Sequence, residues 1–130
     1  HHFKNKKMGL STFENLYLLL RETMEPNESI EQTLHRGLLE EFGATGETMR
    51  FLGSLQSRYP LDGTWVEKTT LYFLVKYTGH DELKRQEGSS ESESALEWIA
   101  PQELLVLLKK QATIDVSLDE SVIVKRFLEL

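Results

Sequence analysis

The chain has no cysteine. That excludes disulfides, thiol nucleophiles and thiolate metal sites, and it fits a reducing compartment. It also lacks an apolar run of membrane-spanning length. The basic opening HHFKNKKM leads into an apolar run too short for a signal-peptide core. No export signal is read there, and a cytoplasmic location is expected. Basic residues are in deficit, with 15 Lys and Arg against 21 Asp and Glu and a net charge of −6. An acidic surface disfavours broad contact with nucleic acid or an anionic membrane. It also repels a phosphorylated ligand unless a cation or a local basic cluster intervenes. No HExxH, GxSxG or P-loop pattern occurs, so the zinc-protease, serine-hydrolase and nucleotide-kinase sites built on them are excluded. No internal repeat is visible.

What is present suits one α/β domain over residues 1–130, with an N-terminal part that is thin for a full sheet. The run NLYLLL (Asn15 to Leu20) reads as a strand, and Pro26 and Asn27 mark a loop. Ser29 and Gln32 form a capping-box pattern. Ile30, Leu34, Leu38 and Phe42 then recur every fourth residue as a core-facing stripe, and Gly43 closes the helix. ETMRFLGSLQSRY and WVEKTTLYFLVKY read as strands joined by the turn PLDGT. Residues 78–93 are polar and read as a solvated loop. ALEWIA reads as a short strand, Pro101 opens a helix, and SLDE caps a last helix through SVIVKRFLEL. KNKK reads as a solvated, mobile end, and His1 and His2 as a tag remnant without function.

The stretch HRGLLEEFG, from His35 to Gly43, poses the central question. Glu40 and Glu41 lie in the last turn of a helix, where unpaired carbonyls already carry about half a negative charge. Arg36, four residues before Glu40, offsets part of this at about 0.2–0.5 kcal/mol for an exposed pair. Glu41 has no partner within the helix. A hard divalent cation would resolve the conflict, since magnesium takes carboxylates, waters and substrate phosphates as ligands. The ordinary alternative is a solvated acidic helix end. Gly37 is a second oddity, because glycine inside a helix costs about 1 kcal/mol relative to alanine.

The spacing from Glu28 through RGLLEEFGA, Arg36 to Ala44, resembles the Nudix box, written G-x5-E-x7-R-E-U-x-E-E-x-G-U with U aliphatic. Glu28, Arg36, Leu38, Glu40, Glu41, Gly43 and Ala44 fall on its positions. TTLYFLVKYTG and ALEWIAPQELLVLL resemble further Nudix segments, so the likeness runs from about Leu16 to Leu108. Two positions depart from the pattern. Glu22 stands where the box begins with glycine, and Gly37 stands where the box has the glutamate after its arginine. The resemblance implies an α/β/α sandwich, a mixed sheet with helices packed on it. It also implies hydrolysis of a nucleoside diphosphate derivative with Mg2+ or Mn2+, weakened by the missing glutamate.

On that resemblance Glu40 and Glu41 hold the metal, Arg36 orients them, and Glu28 supports Arg36 or the metal's outer shell. Some family members take a base from a loop, which makes Glu91, Glu93 and Glu97 candidates here, against the plainer reading of a solvated acidic tract. Arg50, Arg58 and Lys68 could receive phosphates, although such residues more often lie on the surface. Tyr59, Trp65, Tyr72 and Phe73 could stack a base, although strand aromatics usually pack in the core. His35 reads as a solvent-facing helix residue. The expected partner is a nucleotide or other diphosphate small molecule, with no membrane and no nucleic acid, and a homodimer stays open. The rival reading is a non-catalytic module of the same fold that senses a nucleotide or binds a protein. A weaker third reading is that the box is coincidental in an unrelated α/β fold.

Overall fold

The computed structural model describes residues 1–8, 11–85, 94–115 and 119–130. Two compact units are formed, one from His1–Met49 with Val75–Ile99 and one from Arg50–Leu74 with Ala100–Leu130. The described elements are four strands in two antiparallel two-stranded sheets and three α-helices, which is the mixed α/β class expected.

In the first unit, strand β1 (His2–Met8) pairs antiparallel with β2 (Ser11–Tyr17), placing Phe3 opposite Leu16 and Lys6 opposite Phe13. Phe3, Phe13 and Leu16 are buried and form this unit's apolar centre with Ala44. The basic KNKK segment is thus a strand, not a mobile end. One aromatic, Phe3, commits it to the core, while Lys6 lays its ammonium 5.2 Å from the Phe3 ring centroid. Lysines on a two-stranded ribbon also discourage further strand pairing. The strand read over NLYLLL ends at Tyr17, leaving Leu18 to Leu20 outside it. ALEWIA does not form a strand either. Ala95 makes a single bridge, exchanging backbone hydrogen bonds of 2.8 and 2.9 Å with His2, and Trp98 is exposed.

Helix α1 (Ile30–Gly37) opens as the sequence indicates. Ser29 Oγ accepts from Gln32 N at 3.1 Å, and Gln32 Oε1 accepts from Ser29 N at 2.9 Å. It then widens into a π-turn over Leu38–Phe42, which ends at Gly43 with φ 63° and ψ 24°. π-turns of this kind are often found at functional sites. The most buried line along this segment is not the apolar stripe. It is Thr33, Gly37 and Glu41, while Leu34, Leu38 and Phe42 are half-buried and Ile30 is exposed. Leu38 packs toward the base of the hairpin that follows, 3.7 Å from where a Cβ on Gly46 would sit. The innermost line instead faces the chain that precedes the helix.

Strands β3 (Ala44–Leu61) and β4 (Thr64–His80) form one long hairpin, whose base belongs to the first unit and whose tip belongs to the second. Asp62 and Gly63 turn it with φ of 50° and 80°, the positive pair that a two-residue type I′ connection requires. Strand β4 continues into the expected polar loop as far as His80, and Glu82–Lys84 form a short 3-10 turn. In the second unit, helix α2 (Pro101–Ile114), with Pro101 in its first turn, packs on α3 (Ser121–Leu128). Leu108, Ile123 and Val124 are buried in this unit. Tyr72 is also buried, and its hydroxyl donates to Glu120. Ser117 and Leu118 of the expected SLDE cap lie outside the described residues. Asp119 Oδ1 accepts from Ser121 N at 3.2 Å at the start of α3.

Gly43 is buried in a left-handed conformation that costs an L-residue about 1–2 kcal/mol. Gly43→Ala should lower the unfolding free energy by that order, read from a lower urea midpoint at unchanged slope by far-UV circular dichroism. An unchanged midpoint would contradict the cap geometry.

Candidate functional site

Arg36 sits on α1 one turn before the π-turn, and acidic residues surround its guanidinium. Its Nε and Nη2 donate to the two oxygens of Glu28 at 2.7 and 2.9 Å, a bidentate pair. Nη2 also donates to the Thr23 carbonyl at 2.9 Å. Nη1 lies 3.3 Å from Glu22, 3.3 Å from Glu40 and 3.7 Å from Glu25. Glu28 gains further donors from Thr33 Oγ1 at 2.6 Å and Glu25 N at 3.0 Å. The bonds from Arg36, then Thr33, then the Glu25 backbone hold the Glu28 carboxyl down to about 2. The bonds to Glu28 raise the Arg36 guanidinium above its ordinary value.

Glu41 turns the other way, into the interior, because it continues the buried line of Thr33 and Gly37. Its side chain is nine-tenths buried, and Oε2 has no hydrogen-bond partner among the described residues. His1 Nε2 lies 3.5 Å from that oxygen, and the His1 ring meets Phe42 edge-on at 4.7 Å. His1 Nδ1 is 2.6 Å from Ser94 Oγ. His2 is buried too, stacked on Tyr17 at 4.5 Å and bonded to Asn15 and Glu97. Both histidines are therefore packed groups of the first unit. The backbone end of the problem is met by Arg85, whose Nε donates to the Glu41 carbonyl at 2.7 Å. A cation at a helix C-terminus offsets the dipole there.

Glu22 lies against Gly37. A Cβ built on Gly37 would stand 2.8 Å from Glu22 Cβ, 3.1 Å from its Cγ and 3.5 Å from its Oε2. Burial first, and then repulsion from Glu41, push the Glu22 carboxyl above its ordinary value, partly offset by Arg36. Three acidic side chains are thus arranged around the start of the π-turn, with Glu22 and Glu40 on Arg36 and Glu41 behind them.

Among the described residues no group of three or more His, Asp or Glu side chains is placed to hold a metal ion. The donor chemistry nevertheless suits a hard cation. The donors are carboxyl oxygens, and one of them is buried without a hydrogen bond. Glu40 is free to turn at little cost, since its pairing with Arg36 spans one helical turn and is worth only about 0.2–0.5 kcal/mol.

The remaining candidates are spread over the chain. Arg50, Arg58 and Lys68 are exposed and belong to the second unit, where Arg58 lies 4.6 Å over the Trp65 ring. Glu97 is exposed and engaged with His2, and Glu91 and Glu93 lie outside the described residues. His35 is solvent-facing and sits 3.0 Å from Glu31. Trp65 and Tyr59 are exposed and Tyr72 is buried. Sequence reasoning missed Glu22, His1 and Arg85 as neighbours of the box. For Glu22 a signal existed, since the acid missing at 37 has a counterpart where the box has its first glycine. For Arg85 and His1 none did, because their contacts are made by folding.

A family model described as NUDIX domain matches residues 6–120. A comparison with curated proteins finds no match.

The depressed Glu28 carboxyl makes a pH prediction. Its stabilising contribution is complete above the ordinary glutamate value near 4.5 and is lost as pH falls toward about 2. Stability of the wild-type chain should therefore fall more steeply from pH 4.5 to 2 than that of Glu28→Gln, as followed by urea unfolding at each pH. Parallel curves would remove the Arg36–Glu28 pair as a structural clamp.

Proposed function

The chain belongs to the Nudix family, and on that premise we propose that it hydrolyses a nucleoside diphosphate derivative with Mg2+ or Mn2+, at a rate lowered by Gly37. The observation that carries this reading is Glu41: a nine-tenths-buried carboxyl with an unbonded oxygen, beside Glu40 at the end of the box helix. Burying such an oxygen without a hydrogen bond costs about 1–3 kcal/mol, and its neighbour at 3.5 Å, His1 Nε2, has no hydrogen bond either, so a cation bound there would relieve the cost. Members of this family act on nucleotide derivatives with divalent metals.

In this reading Glu40 and Glu41 bind the cation, which when bound neutralises the diphosphate and activates the attacking water. Arg36 fixes the Glu40 carboxyl at 3.3 Å and is itself fixed by the two-pronged bond to Glu28. That clamp holds the acidic residues near one another against their mutual repulsion. Arg85 steadies the Glu41 backbone from the other side. The partner is a small molecule.

A panel of nucleoside diphosphate derivatives, assayed with Mg2+ and with Mn2+, tests the proposal. Turnover should require metal and should drop at least about 100-fold in Glu41→Gln, since loss of even an outer-shell partner costs 10–100-fold. Equal turnover in Glu41→Gln would remove Glu41 from the site. Absence of turnover on every substrate would favour a binding module of the same fold.

A further inference from the structure

We propose that Glu22 and Gly37 are an exchanged pair, so that the acid this box lacks on its helix is delivered from the preceding segment by Glu22, as a third carboxyl for the divalent cation. The inference rests on the reading that Glu40 and Glu41 hold that cation. It extends the reading to a residue that the box pattern assigns to glycine.

Three observations on different atoms support it. The first is steric. Glu22 Cβ and Cγ occupy the space directly over Gly37, within 2.8 and 3.1 Å of where a Cβ would stand. Real Cβ atoms do not approach other carbons that closely, so any side chain at 37 would have to displace Glu22. Conversely, a glycine at 22 would leave that space open for a side chain at 37. The two positions therefore compete for one volume, and a helix glycine costing about 1 kcal/mol is the consequence of filling it from the other side.

The second observation is placement of the acid itself. Glu22 Oε2 lies 3.5 Å from that same point, so its carboxyl lies along the helix face where a side chain at 37 would begin. Its Oε1 accepts from Thr23 N at 3.2 Å and lies 3.3 Å from Arg36 Nη1. It is held by the same guanidinium that holds Glu40. The third observation is the interior neighbour. Gly37 and Glu41 are consecutive members of the buried line of this helix, and Glu41 Oε2 is buried with no hydrogen bond. Glu22 has Arg36 at 3.3 Å, whereas the Glu41 oxygen has only the unbonded His1 Nε2 at 3.5 Å, so this face keeps a carboxyl oxygen open to a cation. Glu97 is less suited to this part, because it is engaged with His2.

The test uses the Mn2+ ion alone, titrated into the folded chain and read by electron paramagnetic resonance of free Mn2+, with thermal melts alongside. Glu22→Gln should weaken Mn2+ binding by about 10-fold or more, near the cost of losing a metal-site partner. Gly37→Glu alone should melt below wild type, because its side chain meets Glu22. The exchanged variant Glu22→Gly with Gly37→Glu should melt above the single Gly37→Glu change and bind Mn2+ to within about threefold of wild type. This variant decides the matter should Glu22→Gln melt early. Wild-type Mn2+ affinity in Glu22→Gln, or failure of the exchanged variant to recover binding, would overturn the proposal. Glu41→Gln, run in parallel, separates the two readings. If it loses Mn2+ and Glu22→Gln does not, only the exchange fails. If the wild-type chain binds no Mn2+, or Glu41→Gln binds it unchanged, the metal site and the exchange both fail.

Discussion

One guanidinium keeps the box helix and the chain before it together. Arg36 touches Glu22, Glu25, Glu28 and Glu40 and donates a further hydrogen bond to the Thr23 carbonyl. Placing four acidic groups this close would be strongly unfavourable in its absence, and a lysine could not replace it. The bond to Glu28 uses two nitrogens of a planar fork at once, while a third nitrogen serves the other acids. The acidic density of this region is thus a consequence of one well-anchored cation.

The same logic explains why two glutamates tolerate the negative end of a helix. Each is answered separately. Glu40 stays near solvent and returns to Arg36, while the Glu41 backbone carbonyl is capped by Arg85. The π-turn starts immediately after Gly37, on a segment whose most buried positions are small, polar or acidic. What remains unanswered is the Glu41 side-chain oxygen, with His1 at 3.5 Å as its nearest charge-bearing neighbour. His1 Nε2 is likewise buried without a hydrogen bond, so the two atoms form one unbonded pair at the interior end of the box helix.

The sequence made legible what depends on local rules. The capping box at Ser29, the Asp62–Gly63 turn, the start of α2 at Pro101 and the α/β class follow from propensity and spacing. It misled where the deciding contact lies far along the chain. KNKK looks like a solvated tail because three of its four residues are lysines, yet Phe3 beside it is opposite Leu16 and turns the segment into a strand. ALEWIA has a strand's composition but gains a partner at Ala95 alone. The stripe from Ile30 to Phe42 looked like the core face, whereas the buried line runs one residue earlier, through Thr33, Gly37 and Glu41. Periodicity locates an apolar face, but it cannot see a polar face buried against a neighbouring segment.

The most direct test is a crystal grown with Mn2+ and measured at the manganese absorption edge. The account predicts an anomalous peak about 2 Å from Glu41 Oε2, with Glu40 turned from Arg36 toward it. A manganese position elsewhere on the chain, with the Glu41 oxygen still facing only His1, would contradict it.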